Sequence, residues 1–184
     1  MRIVGGRFRG RTLKAPSSQA IRPTADRLRE SLFNILAHAY GDAVAGARVL
    51  DLFAGTGALG LEALSRGAAF VLFVDDRAEA RALLRANVEA FGAGGSTKVY
   101  RRDATRLGAP HPLEPFSLCF LDPPYGKELA EQALASARDG GWLVPNALVV
   151  VEEAADAGFT PPPGFAEEER RDYDETQLIF LRMK

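Results

Sequence analysis

The stretch Arg48–Ala68, RVLDLFAGTGALGLEALSRGA, constrains the fold more than any other part of the chain. Val49 to Phe53 is a short apolar run broken by one acid, Asp51, as expected of a buried strand. Gly55, Gly57 and Gly60 follow as G-x-G-x-x-G, and Leu59, Leu61 and Leu64 continue at helical spacing. Strand, tight turn and helix in that order make a nucleotide-binding turn, where backbone N–H groups at a helix N-terminus face the ligand. A glycine turn with a purely structural role is the alternative.

Asp51 separates the possible ligands. Four residues before the first glycine, its carboxylate would repel the pyrophosphate of a dinucleotide and would suit a cation. S-adenosylmethionine carries an ammonium and a sulfonium beside an adenosine. The pattern D-x-F-x-G-x-G resembles the first motif of the class I S-adenosylmethionine-dependent methyltransferases. That resemblance implies a donor site comprising Asp51, Phe53, Ala54, Gly55, Thr56 and Gly57.

The next segments supply further acids at strand ends. Phe70 to Val74 reads as a second buried strand ending in Asp75-Asp76. An acid about 20 residues after a glycine turn can hydrogen-bond both ribose hydroxyls, and Asp75 is assigned that role. Asp76 is expected as the N-cap of a helix whose buried face is Ala80, Leu83, Leu84, Val88 and Phe91. Thr97 to Arg101 alternates as a third strand before Arg102-Asp103-Ala104. By resemblance to class I methyltransferases, Asp103 meets the adenine amino group and the backbone at Ala104 holds the ring edge. A loop aspartate capping a turn is the structural alternative.

Phe116 to Leu121 is a fourth apolar run, followed by Asp122-Pro123-Pro124-Tyr125. Two prolines end the strand and stiffen the backbone, which fixes the neighbouring acid and carbonyl. Such a corner suits a planar exocyclic amine, whose lone pair is delocalised into its ring. Hydrogen bonds from that amine to Asp122 and to the Pro123 carbonyl would favour a tetrahedral nitrogen, and Tyr125 would stack on the base. The motif [DN]-P-P-[YF] is shared by methyltransferases acting on adenine N6, cytosine N4, guanine N2 and glutamine amides. Asp122, Pro123, Pro124 and Tyr125 are therefore the candidate catalytic residues.

Charge is distributed unevenly although the chain of 184 residues has a net charge of only -1. Residues 1–36 carry +6 and the remainder -7. RIVGGRFRGRTLK has Gly5-Gly6 between β-prone pieces, which predicts a small hairpin with arginines at its tip. Arg2, Arg7, Arg9, Arg11, Lys14 and Arg22 form the expected contact surface for phosphates. Phe8 could stack on a base or pack on the domain. Residues 1–23 are read as this arm and a linker from Pro16, and residues 24–184 as the methyltransferase domain.

Thr24 is the expected N-cap of a helix with Asp26 in its first turn and Leu28, Leu32, Ile35, Leu36 and Ala39 on one face. Its RPTADRLRESLFNIL resembles the segment before the first motif in the RsmD family of bacterial small-subunit ribosomal RNA guanine-N2 methyltransferases. The resemblance extends to the basic start RIVGGRFRGRTL, DLFAGTGALGLEALSRGA, LDPPY and the VVEE exit strand. It implies transfer of a methyl from S-adenosylmethionine to N2 of one guanine in 16S ribosomal RNA during small-subunit assembly; the single cysteine fits a reducing, cytoplasmic setting. It also implies that Arg22 and Thr24 face the pocket. Tyr173-Asp174-Glu175-Thr176 departs from the family, which usually has a glycine after the tyrosine.

Lys127 to Arg138 is expected as a helix with Leu129, Ala133, Leu134 and Ala137 inward. Ala147 to Val151 is a fifth strand leaving through Glu152-Glu153, read as solvent-facing or structural. Phe165 to Tyr173 is an expected polar edge strand and QLIFL a final strand. Together these imply an α/β fold with a doubly wound, mostly parallel, seven-stranded sheet of the class I methyltransferase type, preceded by the basic hairpin and a helix. No apolar run reaches the roughly 20 residues of a membrane span. Cys119 is the only cysteine and reads as core, and neither it nor His38 and His111 is given a metal role. The expected protein is a soluble monomer without a metal. An adenine-N6 DNA methyltransferase and a non-catalytic RNA-binding module remain the alternatives.

Overall fold

The computed structural model describes residues 1–16 and 23–184, with Pro23 and Thr24 described by their backbone alone. Arg22 and nearly all of the Pro16–Pro23 linker lie outside the described residues. Seven strands form one sheet in the order β3-β2-β1-β4-β5-β7-β6. The strands β1 (Arg48–Leu52), β2 (Phe70–Val74), β3 (Thr97–Tyr100), β4 (Phe116–Leu121) and β5 (Leu143–Ala154) are parallel. β7 (Thr176–Met183) runs antiparallel to both β5 and β6 (Phe165–Tyr173). The helices are α1 (Pro23–Ala39), α2 (Ala58–Ser65), α3 (Ala78–Ala90) and α4 (Leu129–Gly140). None among the described residues is long and apolar enough to cross a membrane.

Both faces of the sheet are covered, which explains why its strands read as continuous apolar runs. Val49, Val71, Phe73, Leu118 and Phe120 point to one face, where Leu32, Phe33 and Leu36 of α1 and Leu84 of α3 meet them. Leu50, Leu72, Val74, Cys119 and Leu121 point to the other, against Ala130, Ala133 and Leu134 of α4 and against Trp142. The order reverses between β1 and β4, so the C-terminal ends of those two strands open a crevice.

Several local expectations are corrected. α1 begins at Pro23, whose missing N–H suits a first helical position, so Thr24 lies within the first turn rather than ahead of it. Leu32, Ile35 and Leu36 are buried as expected, but Phe33 joins them and Ala39 is exposed. The N-cap residue of α3 is Arg77, in extended backbone, and not Asp76. α4 starts at Leu129, after Glu128 at φ 56. β5 is longer than the apolar pattern implies, because a register shift opposite Phe116 and Leu118 absorbs Pro145 and Asn146. Glu152 and Glu153 are thus inside the strand rather than beyond it. Asp174 takes φ 53, so an aspartate supplies the left-handed turn for which glycine is the usual choice.

The N-terminal arm folds back on itself, with Arg2 paired to Thr12 and Ile3 N–H bonded to the Arg11 carbonyl at 3.0 Å. Gly5-Gly6 is not its tip. A Cβ on Gly6 would lie 2.0 Å from the Ser65 carbonyl oxygen, so the glycines allow the arm to touch the end of α2. Ile3, Phe8 and Leu13 are buried in the same core as α1 and α3, and Phe8 packs on Phe91 at 5.2 Å.

Behind the arm lies a buried ionic cluster that the sequence pattern does not disclose. Glu62 is fully enclosed on α2 and accepts from Arg29 Nε at 3.0 Å, Arg66 Nε at 2.8 Å and the N–H groups of Val4 and Gly5. Arg29, only 4% exposed, also donates to Asp26 and to the Arg2 carbonyl. Arm, α1 and α2 are joined at one carboxylate.

Candidate active site

The glycine turn has the backbone its sequence demands. Gly55 and Gly57 have φ 58 and 83, and Gly57 is the N-cap residue of α2. Gly60 serves close packing instead: a Cβ there would come within 2.4 Å of Phe73 Cε1 and 2.8 Å of Val71 Cγ1. Phe53 also has positive φ, 58, which turns the chain sharply out of β1.

Asp51 sits at the floor of this turn, buried, with Oδ2 accepting the Gly60 N–H at 3.0 Å. Burial raises its pKa well above the ordinary carboxylate range; the Gly60 bond opposes the rise, and the charge of Asp75 adds to it. Asp51 thus braces the turn while lining the cavity above it. A cation arriving in that cavity would favour its ionised form.

Asp75 ends β2 as expected and is nearly enclosed. It accepts Gly55 N–H at 3.0 Å, the Arg77 backbone N–H at 3.0 Å and a forked contact from the Arg77 guanidinium at 3.1 and 3.0 Å. Burial would raise its pKa, but the Arg77 and Gly55 bonds outweigh that and hold it below the usual range. Arg77 itself is 65% exposed in its side chain. Asp103 accepts from Thr105 N–H and Oγ1 at 2.9 and 2.7 Å, so its carboxylate caps a turn at the cavity edge. Ala104 is buried behind it. Arg102 bonds the Leu107 carbonyl and lies over Tyr100 and Trp142.

The proline corner closes the opposite wall. Pro123 is buried, while Asp122, Pro124 and Tyr125 reach the surface. Tyr125 is the exposed large hydrophobic residue of the described chain, at 45%. Its hydroxyl lies 3.4 Å from Glu152 Oε1 and 3.2 Å from Thr176 Oγ1. Partial burial first, then the charges of Glu152 and Asp122, push its pKa up to about 12, against a hydrogen bond with Thr176. The phenol stays neutral and its ring is held by its far end.

One cavity of about 880 Å³ unites these pieces. Asp51, Phe53, Ala54, Gly55, Thr56, Asp75, Asp103 and Ala104 line it together with Asp122, Pro123, Pro124 and Tyr125. Gly57 lies buried beneath it. Glu152 lines it too, although the sequence suggests a structural or solvent-facing residue there; its position one step past a buried strand is the available signal. Glu153, by contrast, is buried and bonds Ala154 N–H. Arg77 and Met1 are further lining residues that no sequence motif singles out. The acidic lining fits a cationic nucleoside, and the space fits a nucleoside and a planar base together.

The candidate phosphate-binding residues Arg2, Arg7, Arg9, Arg11 and Lys14 are all exposed on the arm. Arg7 and Arg11 lie over Phe8 at 4.5 and 5.5 Å, and Arg11 also donates to the Ala90 carbonyl. The arm is tied to the donor turn by buried Asn87, which accepts from Lys14 N–H at 2.7 Å and donates to the carbonyls of Lys14 and Thr56. Thr24 belongs to α1, and its side chain lies outside the described residues.

A sheet that reverses at β1 and β4, with acids on each strand end and a D-P-P-Y corner, defines a class I methyltransferase, the class that draws its methyl from S-adenosylmethionine. Residues 1–182 match the family model described as Conserved hypothetical protein 95. The chain is 41% identical over 167 residues to Ribosomal RNA small subunit methyltransferase D of Escherichia coli, covering 89% of this chain and 79% of that one. The like-named Haemophilus influenzae protein is 36% identical, with 88% and 83% covered. The solved structure of yhhF from Escherichia coli superposes with a TM-score of 0.84 at 34% identity, over 100% of this chain and 98% of that one. The chain belongs to the RsmD family.

Proposed function

We propose that this protein methylates the exocyclic N2 of one guanine in 16S ribosomal RNA, with S-adenosylmethionine as donor, during small-subunit assembly. The observation that carries the reading is the convergence of donor-type acids and the D-P-P-Y corner on one cavity. Membership of a family whose relatives are named for small-subunit ribosomal RNA supports the choice of substrate.

S-adenosylmethionine, when bound, supplies a methyl on a sulfonium, an electrophile suited to an amine. Asp75 would hold the ribose, Asp103 the adenine edge, and Asp51 the charge. Asp122 and the Pro123 carbonyl accept the two N2 hydrogens, which draws the nitrogen toward a tetrahedral shape and frees its lone pair. Tyr125 stacks on the base and fixes its plane. The proton that N2 sheds passes to the Asp122 carboxylate and then to water. Positioning and charge complementarity supply the acceleration, because a poorly basic amine needs alignment more than a strong base.

The test is incubation with methyl-labelled S-adenosylmethionine and naked 16S ribosomal RNA, small-subunit particles lacking the modification, or duplex DNA, followed by identification of the labelled nucleoside. N2-methylguanosine in the RNA or particles is expected. N6-methyladenine in DNA, or RNA binding without label transfer, would overturn the reading.

A further inference from the structure

The register of the parallel pair β4 and β5 places Leu121 opposite Val151. The residues that follow this last pair of the ladder are Asp122 and Glu152, and both line the cavity. Glu152 Oε1 faces the Tyr125 hydroxyl at 3.4 Å, so it stands at the edge of the platform on which the base would lie. The corner therefore brings three acceptors to one cavity: the Asp122 carboxylate, the Pro123 carbonyl and the Glu152 carboxylate.

Three acceptors in one cavity match one base in particular. Guanine carries N1–H next to its N2 amine, three hydrogen-bond donors in a row. Adenine and cytosine place an acceptor nitrogen beside their amines, and a carboxylate would meet its lone pair. RNA bases splayed out of a loop are commonly read on this edge. A carboxylate can accept several hydrogen bonds at once, the Tyr125 hydroxyl being one donor to Glu152.

Resting on the guanine-N2 reading above, we infer that Glu152 is the specificity-determining residue: it accepts the N1–H of the target guanine while Asp122 and Pro123 engage N2. Glu152 acts on the choice of base rather than on the methyl donor. An analogue that keeps the amine but lacks N1–H leaves this carboxylate facing a lone pair, and sites built to bond a donor reject such analogues strongly.

2-Aminopurine is that analogue. Once the modified nucleotide is identified as above, ligated RNA carrying guanine or 2-aminopurine at that position is reconstituted as the substrate requires. Single-turnover methylation is then compared for the native protein, Glu152→Gln and Tyr125→Phe. The native protein should favour guanine by roughly 10⁴-fold. Glu152→Gln, whose amide can donate to N1, should slow guanine and narrow the preference to less than about 10-fold, with donor affinity by calorimetry unchanged. Tyr125→Phe should be slower on both and keep the wide preference, because it removes only the hydroxyl. An unaltered preference in Glu152→Gln, or an equal narrowing in Tyr125→Phe, would overturn the assignment. A modified base other than guanine would instead sink the underlying reading, and this one with it.

Discussion

Arg29 donates from Nε to Glu62 across 3.0 Å, and neither side chain is more than 4% exposed. Each buried charge has the other as its partner, and Arg66, Asp26 and two arm amides take the remaining positions. The same carboxylate joins the basic arm to the helix that follows the glycine turn. Removing it leaves the buried Arg29 guanidinium with Asp26 and the Arg2 carbonyl but takes the acceptor from its Nε and from the Val4 and Gly5 N–H groups. Glu62→Ala should therefore lose about 3–5 kcal/mol of stability in urea unfolding; a loss below about 1 kcal/mol would mean that solvent reaches Arg29 readily.

Donor affinity should depend on pH through Asp51. Its folded pKa is raised by burial, so the ionised form is less favoured in the fold than in the unfolded chain, and stability falls as pH rises from the ordinary carboxylate range through the raised value. Asp51→Asn should then be as stable as the native protein or more so above that range. In the native protein a bound cation favours ionisation, so S-adenosylmethionine should bind more weakly at acid pH and release a proton on binding. Calorimetry in two buffers of different ionisation enthalpy reads this proton; the same release in Asp51→Asn would place its source elsewhere.

Asp75 carries a structural load as well as its assigned ribose contact. From sequence, Asp75→Ala should weaken donor binding and leave melting nearly unchanged. The bonds to Gly55 and Arg77 change the second half of that expectation: alanine would orphan the Gly55 N–H beside the turn. Melting should fall along with affinity. Asp75→Asn, which can still accept from Gly55, should recover most of the melting temperature but little of the affinity. Native affinity in Asp75→Asn would remove the carboxylate from the ribose contact.

Asp122 stands at the surface of the corner and makes no contribution to the apolar core. Asp122→Ala should abolish methyl transfer, lowering the rate by at least about 100-fold, the scale of losing one aligned electrostatic group. Donor affinity should stay near its native value. Turnover within about tenfold of native would exclude its role on the amine.

Replacement of Arg7, Arg9 and Arg11 by glutamine should weaken RNA binding and flatten its dependence on salt by roughly 0.7–0.9 for each phosphate no longer neutralised. Because Arg7 and Arg11 also cover Phe8, Arg9→Gln alone is the cleaner single variant. An undiminished salt slope in the triple variant would move phosphate recognition off the arm.

The elements most legible in the sequence are those whose chemistry is local. A strand, three glycines and a helix follow from backbone sterics at Gly55 and Gly57, and the end of β4 follows from Pro123-Pro124, so the rim of acids and the D-P-P-Y corner are readable from the residues alone. Other features depend on residues far apart in the chain. Glu62 and Arg29 read as ordinary charged helix positions until α1, α2 and the arm meet around them. Glu152 reads as the solvated end of a strand until the fold brings it to the same cavity as Asp122. Gly5-Gly6 reads as a turn, and only the approach of Ser65 shows that the absent side chains make room for a neighbour. Local rules fix which backbone shapes a segment can adopt; burial, pairing of charges and the meeting of strand ends are properties of distances between segments, and those exist only in the folded chain.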